Sequence, residues 1–392
     1  MKHLKKILAA VLSVVLVLSF CACEFHEKNE LVATVGKTPI GSELYIMYLM
    51  QADTEFKGKI DDSIKAANGT AISNTADYYE KTLDGKDSDQ WLADKTMMYL
   101  KEYAWTVETF ESLGLTLNEE QKQAVDSYVY TYWDYYGNSV QYESYGISED
   151  AFRLYWEQLV KKEAIFNYYY DEKGIQEVSK DDIFKNITEN YIQAETITIG
   201  IVDEKGAKLT GEKLAAEQNK AKDYVDRFNK GEATIGKLNE EYSGKTTSST
   251  TSTTASTQSA TSALATSSAA VSSGATEDEE IKSKYADAMF FNSEDQDTTV
   301  YDKLKEIIAK DDFVGYDKAA YFETDTSIVV YVVRDMSTDK EFVMDQYKVT
   351  ALHNLKDTDF TKIISDALAK LTVAAESTIG RYRATNFLTE EE

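Results

Sequence analysis

The sequence predicts an α+β protein in which a mostly helical domain is interrupted by a small domain of strands and helices. The 392-residue chain has a single proline, Pro39, and 18 glycines, so long helices with few sharp breaks are expected. Residues 194–202 (AETITIGIV) alternate and are rich in β-branched side chains, as is typical of a strand. Helical spacing returns after residue 337 and continues to the end of the chain, which predicts that the C-terminal segment completes the first domain.

Residues 31–191 form the N-terminal part of the predicted helical domain. A strand over Leu31–Val35 and a turn over Gly36–Pro39 lead into a helix that begins at a Ser42 N-cap. Later helices are expected to begin at the cap residues Asp87 or Ser88, Asn118, Ser148 and Ser179, and three of them to end at Gly114, Gly137 and Gly174.

Residues 192–336 form the predicted α+β domain, and residues 337–392 the C-terminal helical segment. Its strands are expected at 194–202, 315–323 and 326–335, and its helices at 211–231, 234–243, 278–291 and 300–311.

The N-terminus predicts a secreted, lipid-anchored protein. Lys2, Lys5 and Lys6 precede the 14-residue run Ile7–Phe20, which is too short to cross a membrane, and residues 1–22 therefore indicate a signal peptide. Cys23 follows a small residue and precedes a polar tether at 23–30, in an arrangement similar to a bacterial lipobox. The alternative is an ordinary cleaved signal that leaves Cys23 as a free thiol.

Residues 245–276 interrupt the predicted α+β domain, and 19 of the 28 residues between Thr246 and Ser273 are Ser or Thr. Such a segment has too few apolar side chains to order itself by burial, so it predicts a disordered excursion from the domain. A tolerated loop expansion and a site for O-linked glycans are both open interpretations.

Charge and residue usage exclude several classes of function. The net charge of -26 becomes -29 once a signal with three lysines is removed, which argues against nucleic-acid binding. Cys23 would then be the only cysteine, so no intramolecular disulfide forms. The carboxylates follow no metal-ligand spacing, and the segment GEATIGKL (231–238) has Leu238 where a phosphate-binding loop needs Ser or Thr. No metal and no cofactor is expected.

Several motifs in order resemble PrsA-like lipoprotein foldases and SurA-like periplasmic chaperones. They are LVATVGKTPIGSELYIMYL (31–49), VSKDDIFKNITENYIQAETITIGIV (178–202), AKDYVDRFNKGEATIGKLNEEYS (221–243), YADAMFF (285–291) and SIVVYVVRD (327–335). The resemblance implies an extracytoplasmic foldase with a helical chaperone domain and an inserted prolyl-isomerase module of the parvulin type.

The catalytic residues that this resemblance implies are missing. Parvulins use two facing histidines on their first and last strands, and the matching positions here are Thr196 and Val329. The three histidines of the chain, His3, His26 and His353, all fall outside the module. The strand that carries the family's third polar residue is expected where the Ser/Thr tract lies. These departures predict a degenerate module.

Aromatic residues are the stronger positive signal for binding. The runs YVYTYWDYY (128–136) and IFNYYY (165–170) place aromatic side chains on more than one helix face. Most of them must fill the core. The remainder predict a groove for extended, unfolded segments, because tyrosine combines apolar contact area with a polar tip. The residues expected to line this groove are Tyr132, Trp133, Tyr135, Tyr136 and Tyr169.

The sequence thus predicts a membrane-anchored foldase or holdase that binds unfolded secreted polypeptides, with no nucleic-acid partner. One alternative is an active prolyl isomerase that uses other polar groups near Tyr242, Tyr316 and Tyr321. Another is a surface adhesion or scaffold lipoprotein.

Overall fold

The computed structural model describes residues 29–244, 281–285, 287–295 and 297–388. The predicted signal, Cys23 and the Ser/Thr tract lie outside these ranges. The α-helices are α1 (Ser42–Ala66), α2 (Thr75–Tyr78), α3 (Ser88–Ser112), α4 (Glu119–Val129), α5 (Ser139–Ser144), α6 (Glu149–Tyr170), α7 (Lys180–Asn190), α8 (Gly211–Asn229), α9 (Ile235–Ser243), α10 (Thr299–Ile308), α11 (Lys340–Leu368) and α12 (Ala384–Phe387). A π-helix covers Tyr130–Tyr135, and 3-10 turns cover Met336–Asp339 and Ser377–Arg381.

The strands are short and pair in an antiparallel manner. They are β1 (Leu31–Val35), β2 (Thr38–Gly41), β3 (Thr82–Leu83), β4 (Lys86–Asp87), β5 (Tyr191–Gly200), β6 (Met289–Asn292), β7 (Ala319–Glu323), β8 (Ser327–Val333) and β9 (Val373–Ala375). They form three sheets with the orders β2-β1-β9, β3-β4 and β6-β5-β8-β7.

The chain divides into two compact units. A helical unit contains the described residues up to Glu177 and those from Thr358 onward, and a sheet unit contains Val178–Asp357. The sequence-based boundaries at 192 and 336 assign α7 and the first part of α11 to the helical domain, whereas this division groups both with the sheet.

The helical unit starts with the β1-β2 hairpin, in which Val35 pairs with Thr38. Gly36 occupies the turn with φ +58°, and a Cβ there would meet the Glu108 carboxylate, which accepts a hydrogen bond from the Lys37 amide at 2.6 Å. A side chain is therefore excluded by both the backbone and the space. β9 pairs with β1, so the prediction of helix throughout 337–392 is wrong at residues 373–375.

Helix starts were predicted well where a cap residue precedes an amphipathic stretch. Asp87, Asn118, Ser148 and Ser179 each accept a hydrogen bond from a backbone amide in the first turn of the following helix. The prediction for α1 is wrong, because Gly41 is the cap position and Ser42 is the first helical residue. The Ser42 amide donates to the Glu30 carbonyl at 2.8 Å, so backbone pairing replaces the side-chain cap.

The four-stranded sheet of the second unit separates two apolar clusters. One face carries Ile197, Ile199 and Val330 against α8 and α9. The other face carries Val329 and Tyr331 with Tyr301 and Leu304 of α10. Successive side chains of a strand point to opposite faces of the sheet, so only alternate residues of β5 and β8 lie on the same face and can belong to one site.

Residues 289–291 correct the prediction of a helix over 278–291. They belong to β6, which pairs with the first half of β5 in the register Gln193↔Phe290. Phe290 also packs against Phe342 and Tyr347 of α11. Sheet pairing and aromatic packing override the local helical pattern. The sheet therefore has a fourth strand, β6, at the edge next to β5. The sequence analysis did not predict this strand, because it expects the Ser/Thr tract in the place of a strand of the module.

Candidate functional site

A π-helix follows α4 and positions the aromatic run. The amide of Tyr136 donates to the Thr131 carbonyl at 3.0 Å, an i→i+5 bond that widens the turn by one residue. Gly137, with φ +69°, then ends the helix. The widening changes which aromatic side chains share a face, because Tyr130 and Tyr135 are one π-turn apart but about 140° apart on an α-helix.

The inner part of the run is packed against α6. Trp156 stacks with Tyr128 at 4.7 Å and with Tyr132 at 5.0 Å between ring centroids, with interplanar angles of 16° and 15°. Trp133 is buried in the core of the helical unit and stacks on Tyr142 at 5.9 Å. Trp133, predicted to line a groove, therefore supports the helix from the inside.

The outer part of the run lies in solvent. Tyr130, Tyr135 and Tyr136 are 61%, 72% and 62% exposed, and we call these three residues the tyrosine patch. Tyr136 contacts Tyr132 at 5.7 Å and Tyr135 at 5.3 Å between ring centroids. A continuous series of rings thus runs from half-buried Trp156 through Tyr132 to the patch.

The structure brings together some of the predicted groove residues and separates others. Tyr136 contacts both Tyr132 and Tyr135, but Tyr169 lies on the last turn of α6, half-buried beside Tyr168 and Tyr170. Tyr130 was not among the predicted groove residues, although it belongs to the same run and is mostly exposed.

Thr196 and Val329 occupy neighbouring strands on the same face of the sheet. Thr196 pairs with Tyr331, while Val329 pairs with Thr198 on one side and Phe322 on the other, so the two positions are diagonal. Thr196 is half-buried and Val329 is fully buried. A hydroxyl and an isopropyl group provide no acid–base pair at these positions.

The groups around these positions are aromatic and apolar. Burial raises the pKa of Tyr331, which packs against Phe322 at 5.7 Å, so its hydroxyl stays protonated at neutral pH. Among the residues that the structure describes, the one histidine is His353, whose Nδ1 lies 2.7 Å from Asp357 on α11. It is an i,i+4 pair on a helix, and it belongs to neither β5 nor β8.

The three tyrosines of the alternative isomerase site do not converge. Tyr242 accepts a hydrogen bond from the Gly200 amide at 3.1 Å, and it packs with Tyr321 in the cluster under α8 and α9. Tyr316 instead contacts Phe313 and lines a cavity of about 320 Å³ with Tyr191 and Tyr301. This cavity has the size of a small-molecule pocket, and its lining combines these aromatic rings with the charged residues Glu189, Lys305 and Arg334.

The sequence matches no family model and no curated protein. Among solved structures, the chain is similar to PrsA from Bacillus subtilis, with 11% identity and a TM-score of 0.28 over 71% of this chain and 85% of that one. It is similar to the foldase protein PrsA from Streptococcus pneumoniae str. Canada MDR_19A, with 13% identity and a TM-score of 0.32 over 77% and 98% of the two chains. It is also similar to the foldase protein PrsA from Lactococcus lactis, with 14% identity and a TM-score of 0.31 over 75% of this chain and 86% of that one. Likeness at this level assigns no role to any residue of this chain.

Features of a metal site or a membrane span are absent from the described ranges. No group of three or more His, Cys, Asp or Glu side chains there is arranged to hold a metal ion. Within those same ranges, no helix combines the length and apolarity that a membrane span requires.

Proposed function

We propose that this chain is an extracytoplasmic, lipid-anchored holdase or foldase that binds unfolded secreted polypeptides through the tyrosine patch. The proposed activity involves no covalent chemistry. The ordered sequence motifs described above support the same class, and Cys23 is the proposed attachment point for the lipid.

The observation that carries the proposal is the exposure of three tyrosines within one short helical segment. Large aromatic side chains normally bury most of their surface, yet Tyr130, Tyr135 and Tyr136 are mostly in solvent. The stacked rings of Tyr132 and Trp156 hold the helix beneath them. A tyrosine side chain has few torsions to fix, so ordering it on a bound client costs comparatively little side-chain entropy.

The mechanism is reversible burial of apolar segments. A client that binds the patch is removed from the pool of free unfolded chains, and the rate of client–client aggregation falls with that concentration. Tyrosine rings suit a range of sequences, because they contact apolar side chains with the ring and backbone groups with the hydroxyl.

A prolyl isomerase is the alternative that the sequence leaves open. Thr196 and Val329 lack groups that could act on a twisted amide, and the barrier to be lowered is about 18–20 kcal/mol. We expect purified protein to leave the cis/trans relaxation of a proline peptide at its uncatalysed rate. Acceleration by the sheet unit in the intact chain, removed by Thr196→Val, would favour the isomerase instead.

The test of polypeptide binding compares two double variants of the processed chain. Tyr135→Ala/Tyr136→Ala removes most of the patch, while Met289→Ala/Val314→Ala removes two large exposed side chains, 51% and 52% exposed, from the sheet unit. We expect the first pair to lose most of the suppression of aggregation of a chemically unfolded client, and the second pair to retain it. Equal suppression by both would place the binding surface elsewhere.

A surface adhesion protein is distinguished by a measurement in the host. Loss of the chain should lower the yield of folded secreted proteins if it is a foldase. Unchanged yields together with lost surface attachment would favour adhesion.

A further inference from the structure

The surroundings of the tyrosine patch carry uncompensated negative charge. Asp134 lies between the patch residues along the π-helix, and Glu143 lies on α5, which packs against that helix. Both are exposed, and neither carboxylate has a hydrogen-bond or ion-pair partner among the described residues. Two unpaired carboxylates therefore belong to the π-helix that carries the patch and to the short helix that packs against it.

The nearest basic residues along the chain are already neutralised. No Lys or Arg occurs from residue 123 to residue 152. Lys122 is paired with Glu119 at 2.6 Å, and Arg153 is paired with Asp126 and lies 3.8 Å from Glu149. No cation of the segment that carries the patch is therefore available to Asp134 and Glu143.

We infer that the tyrosine patch selects unfolded segments in which a cationic side chain stands beside apolar ones. This inference rests on the proposed function and names the class of client for the same surface. The site is the patch itself, and the carboxylates set which segments bind most tightly.

The chemistry of the patch fits a guanidinium or ammonium group in two ways. A cation above a tyrosine ring gains about 0.5–1 kcal/mol at an exposed site. The same cation can pair with the adjacent carboxylate, and an Arg guanidinium can do both because it is planar and carries several donors. The negative charge of the whole chain also attracts cationic segments over about a Debye length.

The experiment uses three labelled, unstructured peptides with identical apolar residues and with Arg, Gln or Glu at the same two positions. Binding to the processed chain is followed by fluorescence anisotropy at salt concentrations of about 0.01 M and about 0.15 M. We expect the Arg peptide to bind about five- to tenfold more tightly than the Gln peptide at the lower salt concentration, and the Glu peptide to bind most weakly. The difference should shrink at the higher concentration.

Two variants separate local selectivity from the net charge. Asp134→Asn/Glu143→Gln should reduce the preference for the Arg peptide over the Gln peptide, because only the tyrosine rings and the remaining net charge still favour a cation, and should leave the affinity for the Gln peptide unchanged. Asp325→Asn/Glu204→Gln removes two exposed carboxylates of the sheet unit, changes the net charge equally, and should preserve the preference. An equal reduction in both variants would attribute the preference to net charge and overturn the inference.

The remaining outcomes distinguish this inference from the proposed function. Equal binding of all three peptides by the unaltered chain, lost in Tyr135→Ala/Tyr136→Ala, would overturn the charge selectivity and leave polypeptide binding in place. Absence of binding by any peptide, together with unchanged aggregation of a client, would remove the proposed function itself.

Discussion

Tyr132 and Tyr135 lie three residues apart in the same π-helix, and their environments divide the aromatic run into a support and a surface. Tyr132 stacks on Trp156 and is half-buried, whereas Tyr135 is mostly exposed and contacts only the ring of Tyr136 among the aromatic pairs found in the described residues. The same residue type thus contributes to stability at one position and is available for binding at the other.

The first prediction separates these two roles. Tyr132→Ala should lower the free energy of unfolding by about 1–3 kcal/mol, because it removes a stacked pair and leaves Trp156 partly unpacked. Tyr135→Ala should change it by less than about 0.5 kcal/mol. Urea unfolding followed by tryptophan fluorescence measures both. Equal losses would mean that Tyr135 is packed and is not a free surface.

Glu195 is a buried carboxylate on β5 that is held by Arg334 of the segment following β8. Arg334 donates to Glu195 Oε1 from Nε at 3.0 Å and from Nη2 at 2.6 Å, and from Nη1 to Asp317 at 2.8 Å. Its guanidinium also lies 4.4 Å from the ring centroid of Tyr285. Burial raises the pKa of Glu195 above its ordinary 4.5, and Arg334 opposes that shift only in part.

The second prediction follows from the sign of this shift. A raised pKa in the folded state means that the native protein binds the proton more tightly than the unfolded chain does. The contribution of Glu195 to the free energy of unfolding is then largest below pH 4.5 and declines as the pH rises through the folded-state pKa. The free energy of unfolding of the unaltered chain, relative to that of Glu195→Gln, should therefore decrease as the pH rises from below 4.5 through the raised folded-state pKa.

The measurement is denaturant unfolding of both proteins across that range, with exposed Glu204→Gln as the matched control. The control should show a constant difference. If the free energy of unfolding of the unaltered chain instead rises with pH relative to that of Glu195→Gln, the pairing with Arg334 lowers the pKa of Glu195 by more than burial raises it.

At the scale of elements, the sequence predicted most helices, because cap residues and helical spacing are local signals. The caps at Asn118 and Ser148 were confirmed, and so were the helices that they begin. β6 and β9 were missed, because each becomes a strand by pairing with a strand that is distant from it in the chain, β6 with β5 and β9 with β1. Pairing of this kind leaves little trace in a four-residue stretch.

The candidate site was predictable in part for the same reason. The density of tyrosine in residues 128–136 pointed to a segment that does expose Tyr135 and Tyr136. The side chains that reach solvent depend on the extra residue per turn of the π-helix, which no local propensity reveals. Trp133 was predicted to line the groove, although it lies in the core, and Tyr130 was not predicted.

The third prediction tests the π-helix directly. Deleting Asp134 removes one residue after Trp133, which lets the turn close with i→i+4 bonds and rotates the two following tyrosines relative to Tyr132. We expect the helical circular-dichroism signal to persist while binding of a Gln-containing apolar peptide weakens about three- to tenfold. Asp134→Asn is the control, because it removes the same charge and keeps the register. Equal binding by the two variants would mean that the π-turn does not position the patch.

At the scale of the whole molecule, the charge and the proposed anchor act together. Removal of the predicted signal would leave a net charge of -29, which anionic lipid repels, so such a chain would not stay at a membrane surface by adsorption. A covalent lipid overcomes this repulsion, since each buried CH₂ contributes about 0.8 kcal/mol. Retention at the membrane should then depend on one cysteine.

The fourth prediction concerns that cysteine. Cys23→Ser should move the protein from the membrane fraction to the soluble extracytoplasmic fraction, whereas Cys21→Ser should leave it in the membrane fraction, because Cys21 would be removed with the signal. Fractionation in a bacterial host and the intact mass of the product measure both. If only the Cys21→Ser protein leaves the membrane fraction, the lipid is attached to Cys21. If both variants stay in the membrane fraction, the protein has no lipid anchor at either cysteine. Because the soluble Cys23→Ser protein keeps the tyrosine patch, it should still suppress aggregation in solution, so anchoring and binding can be lost separately.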